Sequence, residues 1–207
     1  MPRNGEKVRR SLQQAALELF GERGYEQTTA ADIAAKAGVT ERTFFRHFAD
    51  KRDVLFGGET ALGDVLVRAV RDAPSELGPW DVLFRAFQAA EPLFVENRPF
   101  AEPRHRLIKS NPALQERALA KTQILTAGLV SALRERALPG HMATLVAQMG
   151  TAALSHAVAC WFDDASSDLH DHLVQAFRKV RDLSSSGVEI APKPKVASKS
   201  KTRSDRA

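Results

Sequence analysis

Apolar residues recur along this chain at helical spacing and hardly anywhere at strand spacing. Between Lys7 and Arg23 they fall at Val8, Leu12, Ala15, Ala16, Leu19 and Phe20, which predicts an amphipathic helix ended by Gly24 and Tyr25. Ile33, Ala34 and Ala37 make the stripe of a second, short helix. Thr29 suits its N-cap, because a threonine hydroxyl there accepts from an orphan amide two or three residues on. Gly38 stands where that helix must stop, and Val39 is the apolar residue of the turn. Thr40 then caps a third helix with Phe44 and Phe48 on its inner face and Glu41, Arg42, Thr43, Arg46 and His47 on its outer one. Asp50 suits the cap of a fourth helix over residues 51–72, which carries Val54, Leu55, Leu62, Val65, Leu66 and Ala69 along one side.

Further on, proline and glycine punctuate the pattern. Pro74, Gly78 and Pro79 end one helix and open the next, with Trp80, Leu83, Phe84 and Phe87 on its apolar side. Pro92, Pro99 and Pro103 predict a stretch cut into short pieces. Asn111 and Pro112 open a helix that runs to residue 137, and Pro139 and Gly140 separate it from another over residues 141–162. Asp168 caps the last helix, which ends near residue 183. The expected fold class is all-α. The helix over residues 141–162 is apolar nearly all round, from Met142, Leu145, Val146 and Met149 to Val158 and Trp161. Such a helix is buried on more than one side, so it must pack on its own domain and on something else.

A short helix, a glycine turn and a second helix with a polar outer face describe a helix-turn-helix, the unit that sets its second helix in the DNA major groove. The segment from Val8 to Phe56 resembles the N-terminal domain of the TetR/AcrR family of bacterial transcriptional regulators. The matching residues are Ala16, Leu19, Phe20, Gly24, Tyr25, Thr28, Thr29, Ile33, Ala34, Ala37, Gly38, Val39, Thr40, Phe44, Phe45, His47, Phe48, Lys51 and Leu55. Phe45 departs from the family's usual tyrosine and so lacks a phenol hydroxyl, while Arg42 replaces a frequent glycine and adds a long donor. The resemblance implies a three-helix DNA-binding head, a helical effector-binding body and a homodimer formed by the last two long helices. It also implies a double-stranded DNA operator as partner. The DNA-facing residues would be Thr29, Thr40, Glu41, Arg42, Thr43, Phe45, Arg46, His47 and Lys51. Arg42 and Arg46 can donate to guanine edges or phosphates, Thr43 can touch a base, and Thr29, Thr40, His47 and Lys51 would position the backbone.

Length and charge fit this organisation. The 207 residues hold a small head, residues 1–50, and one larger domain with a real core, residues 51–183. Residues 184–207 are rich in Ser, Lys and Pro and read as a basic disordered tail. The net charge of +5 is uneven. Residues 1–52 carry ten Lys and Arg against seven Asp and Glu, residues 53–183 fourteen against sixteen, and residues 184–207 six against two. Basic ends and a mildly acidic middle suit a protein that meets phosphate at its ends. Removing the chain after Leu183 is expected to leave the melting temperature unchanged and to flatten the salt dependence of DNA affinity. An unchanged salt slope in a binding titration would reduce the tail to a solubility device.

The remaining chemistry is sparse. No apolar stretch approaches the ~20 residues that a bilayer span needs, the N-terminus lacks an apolar signal core, and the single Cys160 suits a reducing cytoplasm. Cys160 sits among Val158, Ala159 and Trp161 and reads as a core thiol. His170 and His172 lie two apart on a helix and make a poor metal pair, so no metal and no cofactor is expected. There is no Gly-rich phosphate loop, Cys cluster or G-x-S-x-G, which argues against an enzyme. Trp80, Phe84, Phe87, Phe94, Phe100 and Trp161 are candidates to line a ligand pocket, with Arg104 and Arg106 beside His105 as an anion contact. The expected function is a DNA-binding regulator released from its operator by a small hydrophobic effector, anionic if these arginines meet it. The alternative is a ligand-independent DNA binder helped by its basic tail.

Overall fold

Local signals at the N-terminus act as their chemistry dictates. In the computed structural model, which describes residues 3–57, 59–164 and 166–185, α1 spans Arg3–Arg23 and buries Leu12, Ala15, Ala16, Leu19 and Phe20. A reciprocal capping box opens α2 (Ala30–Lys36). The Thr29 hydroxyl accepts from the Asp32 amide at 3.1 Å, and the Asp32 carboxylate accepts from the Thr29 amide at 2.9 Å. Gly38 turns the chain with φ of +70°, a conformation that would strain any side chain. Thr40 caps α3 (Glu41–His47) by accepting from the Thr43 amide at 3.2 Å. Lys36 on α2 reaches Glu18 and Glu22 on α1 at 3.0 and 3.2 Å, a surface contact worth little beside the buried Ile33 and Ala34. Thr29→Ala is expected to cost about 1 kcal/mol through the lost cap. A urea melt checks it.

The predicted fourth helix divides. Asp50 accepts from the amides of Arg52 and Asp53 at 2.8 and 2.9 Å, but the turn it caps is a 3₁₀ segment, Asp53–Phe56, that buries Val54, Leu55 and Phe56. Helix α4 (Glu59–Arg71) starts anew beyond Gly57 and Gly58, and Gly57 is extended with φ of −89° and ψ of 148°. Two consecutive glycines each cost a helix about 1 kcal/mol relative to alanine, which makes this the natural place to break.

The prolines do the opposite of what was expected. Pro79 opens α5, which runs unbroken through Pro92, Pro99 and Pro103 to Ser110. The three prolines are seven and four residues apart, so they share one face. Pro92 and Pro99 are exposed, and carbonyls that lose their donors on that side can be hydrated. The opposite face buries Val82, Leu83, Ala86, Phe87 and Ala90 and outweighs the missing hydrogen bonds. Helix α6 (Pro112–Glu135) is capped by Asn111, whose side chain accepts from the Leu114 amide at 3.2 Å. Helices α7 (Gly140–Asp163) and α8 (Leu169–Ser185) follow, the latter capped by Asp168. Among the described residues no strand occurs. The tail over residues 184–207 falls, beyond Ser185, outside the described residues.

Two cores result. One lies inside α1, α2, α3 and the 3₁₀ turn. The other is built by α4 to α8 around Leu83, Phe87, Leu129, Leu154, Trp161 and Phe177. Here α7 approaches α5 so closely that a Cβ on Gly150 would lie 2.5 Å from Leu83 Cδ1. Contrary to the sequence expectation, α7 is long and apolar enough to span a membrane by length and composition; in the structure it sets Ala143, Ala147, Leu154, Ala157 and Trp161 into this core. Cys160 is also not a core thiol: it is half-buried on α7, its Sγ 3.6 Å from His156 Nε2. His170 joins α8 to α5 through Glu91, Nδ1 to Oε1 at 3.0 Å, and this hydrogen bond raises the imidazole pKa. The raised pKa means the tether contributes fully below the unfolded value near ~6.5 and fades as pH rises above it. Melting temperatures across that range should show this slope, and His170→Gln should remove it.

Candidate nucleic-acid interface and adjoining cavity

Helix α3 is anchored from below and open above. Phe44 is fully buried and Phe48 nearly so, and their rings lie 5.6 Å apart. The opposite face presents Thr40, Glu41, Arg42 and Arg46 to solvent, with Thr43 partly covered beside the cap. Phe45 belongs to the exposed set at 52% and meets Phe44 edge-on at 5.3 Å. The structure therefore gathers Thr40 to Arg46 on one surface, with Thr29 exposed at the start of α2.

His47 and Lys51 stand apart from that surface. The His47 ring is half-buried under α1, and burial, then Arg46 and Arg9, hold its pKa below the ordinary value. Its Nε2 is buried with no hydrogen-bond partner among the described residues. A neutral imidazole there can donate to a phosphate from one nitrogen only. Lys51 is occupied within the protein. Its ammonium donates to the carbonyls of Tyr25 at 3.0 Å and Thr28 at 3.4 Å and lies over the Tyr25 ring at 4.2 Å, which pins the 3₁₀ region to the turn before α2.

The expected pocket residues do not converge. Trp80, Phe84 and Phe87 pack around Phe177, with ring centroids 4.4, 5.2 and 5.8 Å from it, and fill the body core. Trp161 is buried under the Arg98 guanidinium, which lies 4.3 Å from its ring and donates to its carbonyl. Phe100 packs against the other core, and Arg106 is exposed and paired with Glu102 on its own helix. Aromatics at helical spacing here are mostly core. Phe94 and Arg104 of the set line a cavity.

That cavity, about 680 Å³, lies where the head meets the body. Its walls come from α1, Gly57, the first turn of α4, the C-terminal half of α5 and the end of α7. Glu6, Arg9, Arg10 and Gln13 supply the α1 wall, at helical spacing along one stripe. The stripe was visible in the sequence as polar, but nothing in the sequence indicated what it faces. His105, beside Phe162 at 5.4 Å, has its pKa lowered chiefly by burial and then by Lys109. Arg104 donates to the Leu55 carbonyl at 3.1 Å, and Arg117 of α6 pairs with Asp53. Two body arginines thus hold the 3₁₀ turn that follows α3.

Comparisons with known proteins agree with this architecture. Residues 12–56 match the family model described as "Bacterial regulatory proteins, tetR family", and residues 77–184 match the "MftR C-terminal domain". The chain is 39% identical over 83 residues to the HTH-type transcriptional regulator TcmR of Streptomyces glaucescens, which covers 40% of this chain and 37% of that protein. It is 37% identical over 78 residues to the HTH-type transcriptional repressor Rv3405c of Mycobacterium tuberculosis, covering 37% of this chain and 42% of the relative. These matches span less than half the length of either relative. Over nearly the whole chain, it is similar to a crystal structure of Thermus thermophilus FadR, described as a repressor in complex with lauroyl-CoA. The identity is 26%, the TM-score 0.54, and the coverage 90% of this chain and 98% of that one.

Proposed function

This chain belongs to the TetR family of bacterial regulatory proteins, and from that premise we propose that it is a repressor released from its operator by a small hydrophobic effector. Members of this family bind DNA operators and small-molecule effectors and act as dimers. The observation that carries the reading is the polar, exposed face of α3, from Thr40 to Arg46, fixed over buried Phe44 and Phe48. Residues 1–50 are the DNA-binding head and residues 51–183 the effector-binding and dimerisation body, in a cytoplasmic protein. Arg42 and Arg46 read base edges or phosphates, Thr43 touches a base, and Thr29, Thr40 and the neutral His47 set the backbone. Lys51 acts mainly by bracing the turn before α2. The relatives are named as regulators, which points away from an enzyme. The FadR relative's lauroyl-CoA supports an effector with an apolar chain and an anionic part.

The homodimer is assigned to α7 and α8. Met142 and Leu145, 40% and 51% exposed, continue through the partly buried Met149 into the exposed Ala152 as an apolar stripe at helical spacing. Leu145→Arg would bury a charge at that contact and is expected to give monomers in sedimentation. An intact dimer would place the interface elsewhere.

Arg42→Ala tests the DNA reading. It should weaken operator binding by about 1–3 kcal/mol and relax preference at one base pair. Equal loss on operator and random duplex would assign Arg42 to phosphate alone.

A further inference from the structure

Resting on the reading of the chain as an effector-released regulator, we propose that the cavity between α1, α4, α5 and α7 seats an amphiphilic anion, which acts by drawing Arg104 away from the Leu55 carbonyl. In the aromatic core, Trp80, Phe84 and Phe87 already close on Phe177. The junction cavity holds open space. Its volume of about 680 Å³ lies within the range of small-molecule sites. One part of its wall is apolar, formed by Leu62, Leu93, Phe94, Val158 and Phe162. The other is cationic. Arg9, Arg10 and Arg104 outnumber Glu6 and Glu96, so a carboxylate or phosphate gains there and an ammonium does not. An alkyl chain would lie against the apolar part and be held by the area it removes from water.

The position gives the ligand leverage that a site deep in the body would lack. Arg104 both lines the cavity and donates to Leu55 in the 3₁₀ turn, so a bound anion competes for a contact that fixes the head. Arg9 also serves two places: it lines the cavity, and its guanidinium lies 4.8 Å from the ring of Phe48, the last residue of α3's anchor. A ligand that engages both arginines is bound differently by the DNA-competent and the released arrangements, which is the condition for shifting their equilibrium.

The test uses the full chain, an operator selected from a random duplex pool, and four probes below their micelle concentrations. These are dodecanoate, dodecyl phosphate, dodecanol and dodecyltrimethylammonium. Calorimetry without DNA reads binding, and displacement of labelled operator reads release. Each variant's operator affinity is measured first, so that only the shift on adding probe is compared. The two anions should bind and release DNA, and which of them is tighter distinguishes a carboxylate from a phosphate effector. Ala61→Trp, an exposed position on the cavity wall, should weaken binding of both by at least about tenfold. Arg104→Gln should reduce the preference for dodecanoate over dodecanol by about tenfold. Calorimetric binding unchanged by either variant, or binding of only the neutral or cationic probe, overturns the assignment and leaves the DNA-binding reading intact. Failure to select any operator would sink that underlying reading, while the calorimetry, which needs no DNA, still decides the cavity.

Discussion

Phe44→Ala is expected to abolish operator binding and to melt the head while the body core persists. The ring is fully buried between α1 and α3, in contact range of Phe45 and Phe48. Removing such a side chain costs about 3–5 kcal/mol, from lost transfer free energy and the cavity left behind. A whole domain of this size is stable by about 5–15 kcal/mol, and the head is its smaller part. Phe45→Ala provides the contrast. That ring is 52% exposed, so its loss should leave stability within about 0.5 kcal/mol while touching DNA affinity. Urea melts followed by gel-shift titrations separate the two. Wild-type operator affinity in Phe44→Ala would mean that α3 is held by something other than its aromatic underside.

Leu114→Ala is the second large effect, and it concerns the coupling of the two cores. Leu114 lies in the first turn of α6, yet it is fully buried in the head's cluster, against which Phe100, Leu107 and Ile108 of α5 also pack. The corner between α5 and α6 therefore enters the head as a plug. Arg117 and Arg104 hold the 3₁₀ turn next to it. Truncating Leu114 should cost about 2–5 kcal/mol and should turn a single melting transition into two, the head leaving first. A loss below about 1 kcal/mol with one sharp transition would show that the head is carried by α4 and the 3₁₀ turn alone.

The head was legible because its chemistry is local. Thr29, Gly38 and Thr40 act on amides and dihedrals within four residues, and Phe44 and Phe48 mark the inner face by spacing alone. The prolines misled because a proline's cost depends on where the orphaned carbonyl points. Pro92 and Pro99 face water on a long helix whose other side is core, and no local pattern reveals that. The fourth helix failed for a different reason: the Gly57–Gly58 pair was in plain view but was outweighed by apolar periodicity on both sides. The pocket was the least legible part. Trp80, Phe84, Phe87 and Trp161 have the spacing of any core stripe, while four of the residues that wall the cavity come from α1, more than eighty positions from Phe94 in the chain. Contacts at that separation are tertiary, and one sequence does not state them. Of the expected set, Phe94 and Arg104 fall on the cavity wall, and the carbonyl of Leu55 that Arg104 holds was unforeseen.

Selection of bound duplexes from a random pool by the wild-type protein tests the central claim most directly. A dimer that sets α3 of each subunit in the major groove must enrich an inverted repeat. Its half-sites should sit about one helical turn, roughly 34–36 Å, or a multiple of that, apart. Recovery of such a repeat, with footprints centred on it, is the predicted result. A pool that shows no enriched sequence, or binding that falls with salt equally for every duplex, would contradict it and leave only a basic surface that meets DNA without reading it.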